Sequence, residues 1–146
     1  MPNPTNGEQQ HAVATAVRAV DDAYNRGDLE AILDFYESNA VVVTDPNGNL
    51  ARGKAEVRRA FEQILPPNGS ARQMTTRVIE ADGIALFTSH WIHSGVDASG
   101  NTFAWQHTAT TVFRKQGDGQ WRALIDNPFG PAILGRPAPL NAAPPS

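Results

Sequence analysis

The sequence contains no cysteine, so disulfide bonds, zinc–thiolate centres and cysteine nucleophiles are excluded. It has no surplus of basic residues either, because its formal net charge is −3. We therefore expect neither nucleic acid nor a membrane as a partner. No apolar run approaches the roughly 20 residues that a membrane-spanning helix needs. The N-terminus also lacks the apolar core of a secretory signal, and by elimination the expected location is cytoplasmic.

What remains is the composition of a folded domain. The chain has 146 residues, of which 40% are hydrophobic and 18% charged, which suits one globular unit with a sizeable core. Proline collects at both ends of the sequence, where it removes backbone donors. We expect a flexible N-terminus over residues 1–7, a single domain over 8–130 and an extended, proline-rich tail over 131–146.

The first half of the domain has helical periodicity. Val13, Val17, Val20 and Tyr24 recur at spacings of three and four, which places them on one face of a first helix. A second apolar stripe runs from Leu29 to Tyr36. The pattern then predicts a short strand over 40–44 and a third helix over about 54–65, which ends at a pair of prolines.

The second half of the domain reads as strands near 70–81, 84–95, 102–115 and 120–127, separated by glycine-containing turns. Strands joined by short turns run antiparallel. The resulting order, α-α-β-α-β-β-β-β, predicts an α+β domain in which three helices pack on one face of an antiparallel sheet.

Aromatic residues collect at the odd-numbered positions of the two central strands, and small polar residues at the even-numbered ones. Because strand side chains alternate between faces, we expect the odd face to lie against the helices. The same parity on the last strand predicts that Asp126 points outward and Asn127 inward. The inward face is too polar for a plain core and favours a small-molecule cleft. Its predicted ligand-binding residues are Tyr24, Ser89, Trp91, His93, Trp105, Thr111 and Asn127.

Several segments together resemble a known superfamily. "GDLEAILDFY", "DPNG" after the first strand, "ARGKAEVRRAF" and a "DG-x-W" hairpin before the last strand occur in an order similar to that of the nuclear transport factor 2-like superfamily. Its members include ketosteroid isomerases and SnoaL-like polyketide cyclases. The resemblance covers roughly residues 10–130 and implies a cone-shaped, cystatin-like fold, in which a curved sheet surrounds a cavity that the helices close.

The resemblance also implies a catalytic base. In ketosteroid isomerases the base is an aspartate that precedes a proline after the first strand, and Asp45 in "TDPNG" occupies that position. The two oxyanion donors of those enzymes correspond here to Val20 and Thr111, so another residue must replace them. His107, in the middle of the aromatic face, is the first choice. Asp-Pro-Asn-Gly is also close to an ideal type I turn, and this alternative reading of Asp45 stays open.

These features favour a small enzyme that needs no cofactor. It would bind an apolar carbonyl compound and catalyse proton transfer, as an isomerase or a polyketide cyclase does, with Asp45 and His107 as catalytic residues. The alternative is a non-catalytic ligand-binding or dimerisation module of the same fold, and a homodimer is expected in either case. A hydrolase ranks last, because the parity leaves few inward carboxylates besides Asp45. No metal site is expected, since His90 and His93 would lie on opposite faces of a strand.

Overall fold

The computed structural model describes residues 11–140, and the predictions for residues 1–7 and for 141–146 lie outside the described residues. The described chain forms three α-helices, α1 (Ala12–Asn25), α2 (Leu29–Asp34) and α3 (Gly53–Ile64). Its six strands are β1 (Tyr36–Val43), β2 (Leu50–Arg52), β3 (Ser70–Ala81), β4 (Ile84–Val96), β5 (Thr102–Lys115) and β6 (Trp121–Asn127). The predicted tail does not start as extended chain, because a 3-10 helix spans Gly130–Leu134. The division into domain and tail stays a prediction.

Local side-chain chemistry sets where the first two helices begin. His11 caps α1, because its Nδ1 accepts a hydrogen bond of 3.0 Å from the backbone N–H of Val13. Asp28 caps α2 by accepting from the backbone N–H of Ala31 at 3.2 Å. Between them the chain reverses at Gly27, whose φ of +74° suits a residue without a Cβ.

The six strands form one sheet in the order β2-β1-β6-β5-β4-β3. All neighbouring pairs are antiparallel except β1 and β6, which run parallel, so the sheet is mixed and not wholly antiparallel as predicted. The chain leaves β2 at one edge and crosses through α3 to β3 at the other edge. The predicted fold class, α+β with three helices against a curved sheet, is confirmed, with β2 as an additional short strand.

The core lies between the helices and one face of the sheet. Val13 on α1, Ile32 and Leu33 on α2, and Phe87 and Phe113 on β4 and β5 are buried together. Burial of large apolar side chains stabilises by roughly 1.5–3 kcal/mol each, so this layer holds the helices against the sheet.

Bulges on β3 and β6 interrupt the alternation of side chains along these two strands. On β3, Gln73 pairs with Trp91 and Thr75 with His90, so Met74 is an extra residue. On β6, Ile125 pairs with Val112 and Ala123 with Phe113, so Leu124 is an extra residue. An extra residue moves every later side chain of that strand to the opposite face. Both bulges decide which polar groups face the helices.

None of the helices formed by residues 11–140 has the length and apolar character that crossing a membrane would require.

Candidate active site

A cavity of about 740 Å³ lies between the helices and the inner face of the sheet. Its lining is mainly apolar and aromatic, with contributions from all three helices and all six strands. Cavities of roughly 300–1,000 Å³ with a few convergent polar groups are typical of small-molecule sites. The polar side chains that matter most for the chemistry are two aspartates, Asp21 and Asp126.

Asp126 is a buried carboxyl group with two hydrogen-bond donors. The hydroxyl of Tyr36 on β1 donates to its Oδ2 at 2.6 Å, and the hydroxyl of Thr111 on β5 donates to its Oδ1 at 2.9 Å. Burial raises the pKa of Asp126, and the two hydrogen bonds only partly oppose that increase. Burial thus disfavours the ionised form of Asp126, whereas the two donated hydrogen bonds favour it.

Asp21 projects into the same cavity from α1. Gln73 Nε2 on β3 donates to its Oδ2 at 2.8 Å. Burial raises the pKa of Asp21 to about 6, and the nearby charges of Asp126 and Asp22 add to the increase. Two interacting carboxyl groups lose their protons in succession, because the first charge hinders the second ionisation.

Tyr36 stays a phenol throughout the neutral range. Burial, followed by the charge of Asp126 and the hydrogen bond to it, raises the pKa of Tyr36 well above its ordinary value. Its hydroxyl is therefore a dependable donor beside Asp126.

One wall of the cavity is aromatic. Trp91 is fixed by a hydrogen bond of 2.8 Å from its Nε1 to the carbonyl oxygen of Pro128. His107 lies with its ring centroid 4.7 Å from that of Trp91 and 5.3 Å from that of Phe129. Burial lowers the pKa of His107, and a positive charge on His93 would lower it further. His107 is therefore a neutral ring at pH 7, suited to packing against a ligand.

Asp45 lies in the turn between β1 and β2. Its Oδ1 accepts from the backbone N–H of Asn47 at 2.8 Å, and its Oδ2 accepts from Asn49 Nδ2 at 2.6 Å. These bonds, that of Asn49 first, lower the pKa of Asp45 although it borders the cavity. The predicted role as base requires burial and a raised pKa, and the structure provides neither. The turn accounts for the hydrogen bonds of Asp45, and its role as a base stays a prediction that this geometry does not favour.

Seven of the nine predicted site residues line the cavity, and their roles in binding or catalysis stay predictions; they are Tyr24, Asp45, Ser89, Trp91, His93, His107 and Thr111. Two others do not line it. Trp105 is 62% exposed, because β6 pairs only with Thr110–Lys115 and leaves the first half of β5 uncovered on that side. Asn127 donates to the carbonyl oxygen of Gly130 and accepts from the backbone N–H of Phe129, so it shapes the 3-10 helix.

The predicted orientations on β6 are reversed, and the cause is the bulge at Leu124. Asp126 lies directly opposite Thr111 and faces inward, whereas Ile125 is 45% exposed on the other side. The sequence argument ranked a hydrolase last because few carboxylates were expected to face inward. That argument does not hold, because Asp21 and Asp126 both line the cavity. Asp21 was missed although a signal was present, since it lies four residues after Val17 and three before Tyr24 on the apolar face of α1.

Within residues 11–140, no group of three or more histidine, aspartate or glutamate side chains is arranged to hold a metal ion.

The architecture and the cavity together define a class, the small α+β domains in which a curved sheet and three helices enclose a pocket. The sequence model of the SnoaL-like domain matches residues 17–124. The chain thus belongs to the SnoaL-like domain family, within the nuclear transport factor 2-like superfamily, as the sequence resemblance indicated. No curated protein matches the chain.

Solved structures with the same fold have different assigned roles. A calcium/calmodulin-dependent protein kinase II association domain candidate from Xanthomonas campestris has a TM-score of 0.72 at 20% identity, with 87% of this chain and 90% of that chain covered. A ketosteroid isomerase-like protein from Erwinia carotovora atroseptica has a TM-score of 0.66 at 20% identity, with 82% and 93% covered. A dehydratase candidate from Streptomyces avermitilis has a TM-score of 0.64 at 23% identity, with 80% and 92% covered. At these identities the similarity shows the fold alone.

The turn reading of Asp45 makes a prediction of its own. We expect Asp45→Asn to keep the turnover of wild-type protein, because asparagine offers the same acceptor to the backbone of the turn. Asp45→Ala should lower the melting temperature slightly, because the N–H of Asn47 and the amide of Asn49 lose their acceptor. Steady-state kinetics and thermal melts of the two variants provide the measurement. A complete loss of turnover in Asp45→Asn would restore Asp45 as the base.

Proposed function

We propose that this protein is a cofactor-independent enzyme that binds a small apolar carbonyl compound and catalyses proton transfer next to the carbonyl group. Isomerisation and ring closure by a cyclase both belong to this reaction class. Asp21 is the proposed base, and Asp126, supported by Tyr36 and Thr111, is the proposed acid. The roles expected for Asp45 and for the missing oxyanion donors at Val20 and Thr111 are thereby taken by other residues.

The observation that supports the proposal most strongly is the pair of carboxyl groups inside one apolar cavity. Burial raises the pKa of Asp21 to about 6 and also raises the pKa of Asp126. A pair of groups whose environments separate their ionisation offers a base and an acid at the same pH. At neutral pH, Asp21 is ionised and can accept a proton from carbon. In the proposed division of roles, Asp126 works in its protonated form, which can donate a hydrogen bond to a developing enolate oxygen.

The hydrogen bonds that Asp126 accepts are consistent with its proposed role as the acid. Tyr36 and Thr111 fix the carboxyl group in one orientation, so no reorganisation is needed when charge develops on the ligand. The resemblance to ketosteroid isomerases predicts an acid at position 111 and a tyrosine at position 20. Here Asp126 lies opposite Thr111 on the neighbouring strand, and Tyr36 comes from β1, so equivalent chemistry is supplied from other positions. His107 is proposed to pack against the ligand with Trp91.

The direct test uses the protein as purified and a library of apolar ketones. Thermal shift identifies the binders, and NMR in D₂O then measures whether the protein accelerates exchange of the hydrogens next to their carbonyl group. We expect exchange with wild-type protein and with Asp22→Asn, a neighbouring exposed carboxylate that serves as control. A ketone that binds tightly but exchanges no faster than in buffer would identify a non-catalytic ligand-binding module.

A homodimer is the proposed assembly, and a specific surface favours it. On the outer face of the sheet, Ile79, Leu86, Val112 and Ile125 stand in register across four strands. Three of them are exposed to solvent: Ile79 by 59%, Leu86 by 42% and Ile125 by 45%. A contiguous apolar row of this kind on a sheet is typical of an association surface. The similar structure from Xanthomonas campestris is itself a candidate association domain.

We expect Leu86→Lys to convert the dimer into a monomer, because it places a charge in the middle of the apolar row. Analytical ultracentrifugation of wild-type and variant protein measures the change. Leu134→Lys is the matched control, since Leu134 is 84% exposed on the 3-10 helix, away from the row. A wild-type protein that sediments as a monomer at all concentrations would contradict the proposed assembly. The cytoplasmic location expected from the sequence stays part of this proposal.

A further inference from the structure

Three buried polar atoms of the cavity have no hydrogen-bond partner within residues 11–140. They are Gln73 Oε1, Ser89 Oγ and His93 Nε2. Polar atoms buried without a partner are uncommon, because each costs about 1–3 kcal/mol. Neither the carboxyl pair nor the aromatic wall uses these atoms in the proposed reaction.

The three atoms belong to one patch of the wall. Ser89, Trp91 and His93 are alternate residues of β4, so their side chains share a face, and Gln73 on β3 pairs directly with Trp91. Gln73 therefore stands between Ser89 and His93, each one diagonal position away. Ser89 is only 3% exposed, so its hydroxyl cannot be satisfied by bulk water. All three residues line the cavity.

The orientation of the Gln73 side chain determines which hydrogen-bonding groups a ligand must have. Its Nε2 donates to the Asp21 carboxylate at 2.8 Å, so Oε1 is the atom left without a partner. That carbonyl oxygen accepts hydrogen bonds and cannot donate. The Ser89 hydroxyl, in contrast, needs an acceptor for its proton. A group that satisfies both must donate and accept at one place.

A hydroxyl group meets this requirement most simply. A ketone or ether oxygen only accepts and would leave Gln73 Oε1 unsatisfied. An ammonium group only donates and would leave the Ser89 proton unsatisfied. A carboxylate would lie close to Asp21, whose negative charge Gln73 contacts directly.

We propose that Gln73, Ser89 and His93 form a hydroxyl-binding subsite, and that the ligand of this protein is an apolar carbonyl compound which carries a hydroxyl group in addition to its reacting carbonyl. The hydroxyl donates to Gln73 Oε1 and accepts from Ser89 Oγ or His93 Nε2. This inference rests on the proposed function for the carbonyl end of the ligand. The inference about the hydroxyl group depends only on the three buried polar atoms without hydrogen-bond partners.

The test is a binding measurement with matched probes. By calorimetry on full-length protein, para-hydroxybenzylacetone should bind roughly tenfold more tightly than benzylacetone and than para-methoxybenzylacetone, which accepts but cannot donate. A second pair, para-butylphenol and butylbenzene, lacks the carbonyl group. A preference for the phenol in this pair would support the subsite even if no carbonyl chemistry occurs, so the two proposals fail separately.

Variants connect the preference to these atoms. Ser89→Ala should fold normally, since it removes a hydroxyl without a partner, and should reduce the preference for the hydroxyl probe about threefold or more. Gln73→Met should abolish the preference for the hydroxyl probe over its methyl ether. Thr88→Val, the next residue of β4 on the opposite face, is the matched control and should keep both preferences. Equal affinities of the three ketones for wild-type protein, or a preference that survives both Ser89→Ala and Gln73→Met, would overturn the inference.

Discussion

Asp21→Asn should reduce proton transfer by about 10²–10⁴-fold while making the folded protein more stable at neutral pH. The loss follows from the proposed role, because asparagine cannot accept a proton from carbon and general bases contribute this much to catalysis. Activity should also decrease at low pH, where Asp21 becomes protonated. In wild-type protein kcat/KM should rise with pH and level off above about pH 6, where Asp21 has lost its proton.

The gain in stability follows from the sign of the pKa change. Burial raises the pKa of Asp21 from 3.8 to about 6 in the folded protein, so the folded state binds the proton more tightly than the unfolded state. Stability therefore decreases as pH rises from about 4 to about 6, and above that range the full penalty is present. The difference between the two pKa values is equivalent to about 3 kcal/mol, and asparagine removes most of it.

Urea unfolding at about pH 4 and about pH 8 measures the effect. Asp21→Asn should resemble wild-type protein at the lower pH and exceed it by about 1–3 kcal/mol at the higher pH. Asp22→Asn, which changes an exposed carboxylate on the same helix, should keep the activity. It should gain much less stability than Asp21→Asn, because the charge of Asp22 contributes less to the raised pKa of Asp21 than burial does. If Asp21→Asn and wild-type protein have the same free energy of unfolding at pH 8, burial of the ionised Asp21 does not destabilise the folded protein.

The main elements of the fold were predictable because their signals are local. Gly83, Gly100 and Gly119 mark the turns between β3, β4, β5 and β6, and each has a positive φ in the structure. The apolar spacing on α1 likewise fixes which side of that helix is buried. The start of β1 at Tyr36 was missed, since Tyr36 also fits the apolar stripe of α2, and packing against Phe35 and Phe61 keeps it as a strand residue.

The candidate site was only partly predictable, because a single extra residue in a strand leaves no clear mark in the sequence. The bulge at Leu124 moves Asp126 to the cavity, and the parity of the strand alone predicts the opposite. Asp45 shows the converse problem. Its position in the chain matches that of a known base, but its side chain is engaged by the turn that its own neighbours form. Position along the sequence therefore identified the superfamily. The role of Asp45 as a base stays a prediction that its hydrogen bonds in the turn do not favour.

Asp126 permits a second test of large effect, because asparagine and alanine should behave differently at this position. If Asp126 works in its protonated form, Asp126→Asn keeps a neutral group that donates through its amide nitrogen and accepts from Tyr36 through its oxygen. We expect that variant to lose no more than about tenfold in kcat. Asp126→Ala removes the donor altogether and should lose about 10²–10³-fold, as is usual when one such donor is deleted.

The same two variants should also differ in stability. Asp126→Ala leaves the buried hydroxyls of Tyr36 and Thr111 without an acceptor, so the free energy of unfolding should fall by about 2–4 kcal/mol. Asp126→Asn keeps an acceptor for Tyr36 and should lose about half as much. If Asp126 instead works as an ionised base, both variants should be equally inactive, because neither can accept a proton. Kinetics of the pair, corrected for the folded fraction by urea unfolding, therefore distinguish an acid from a base at this position.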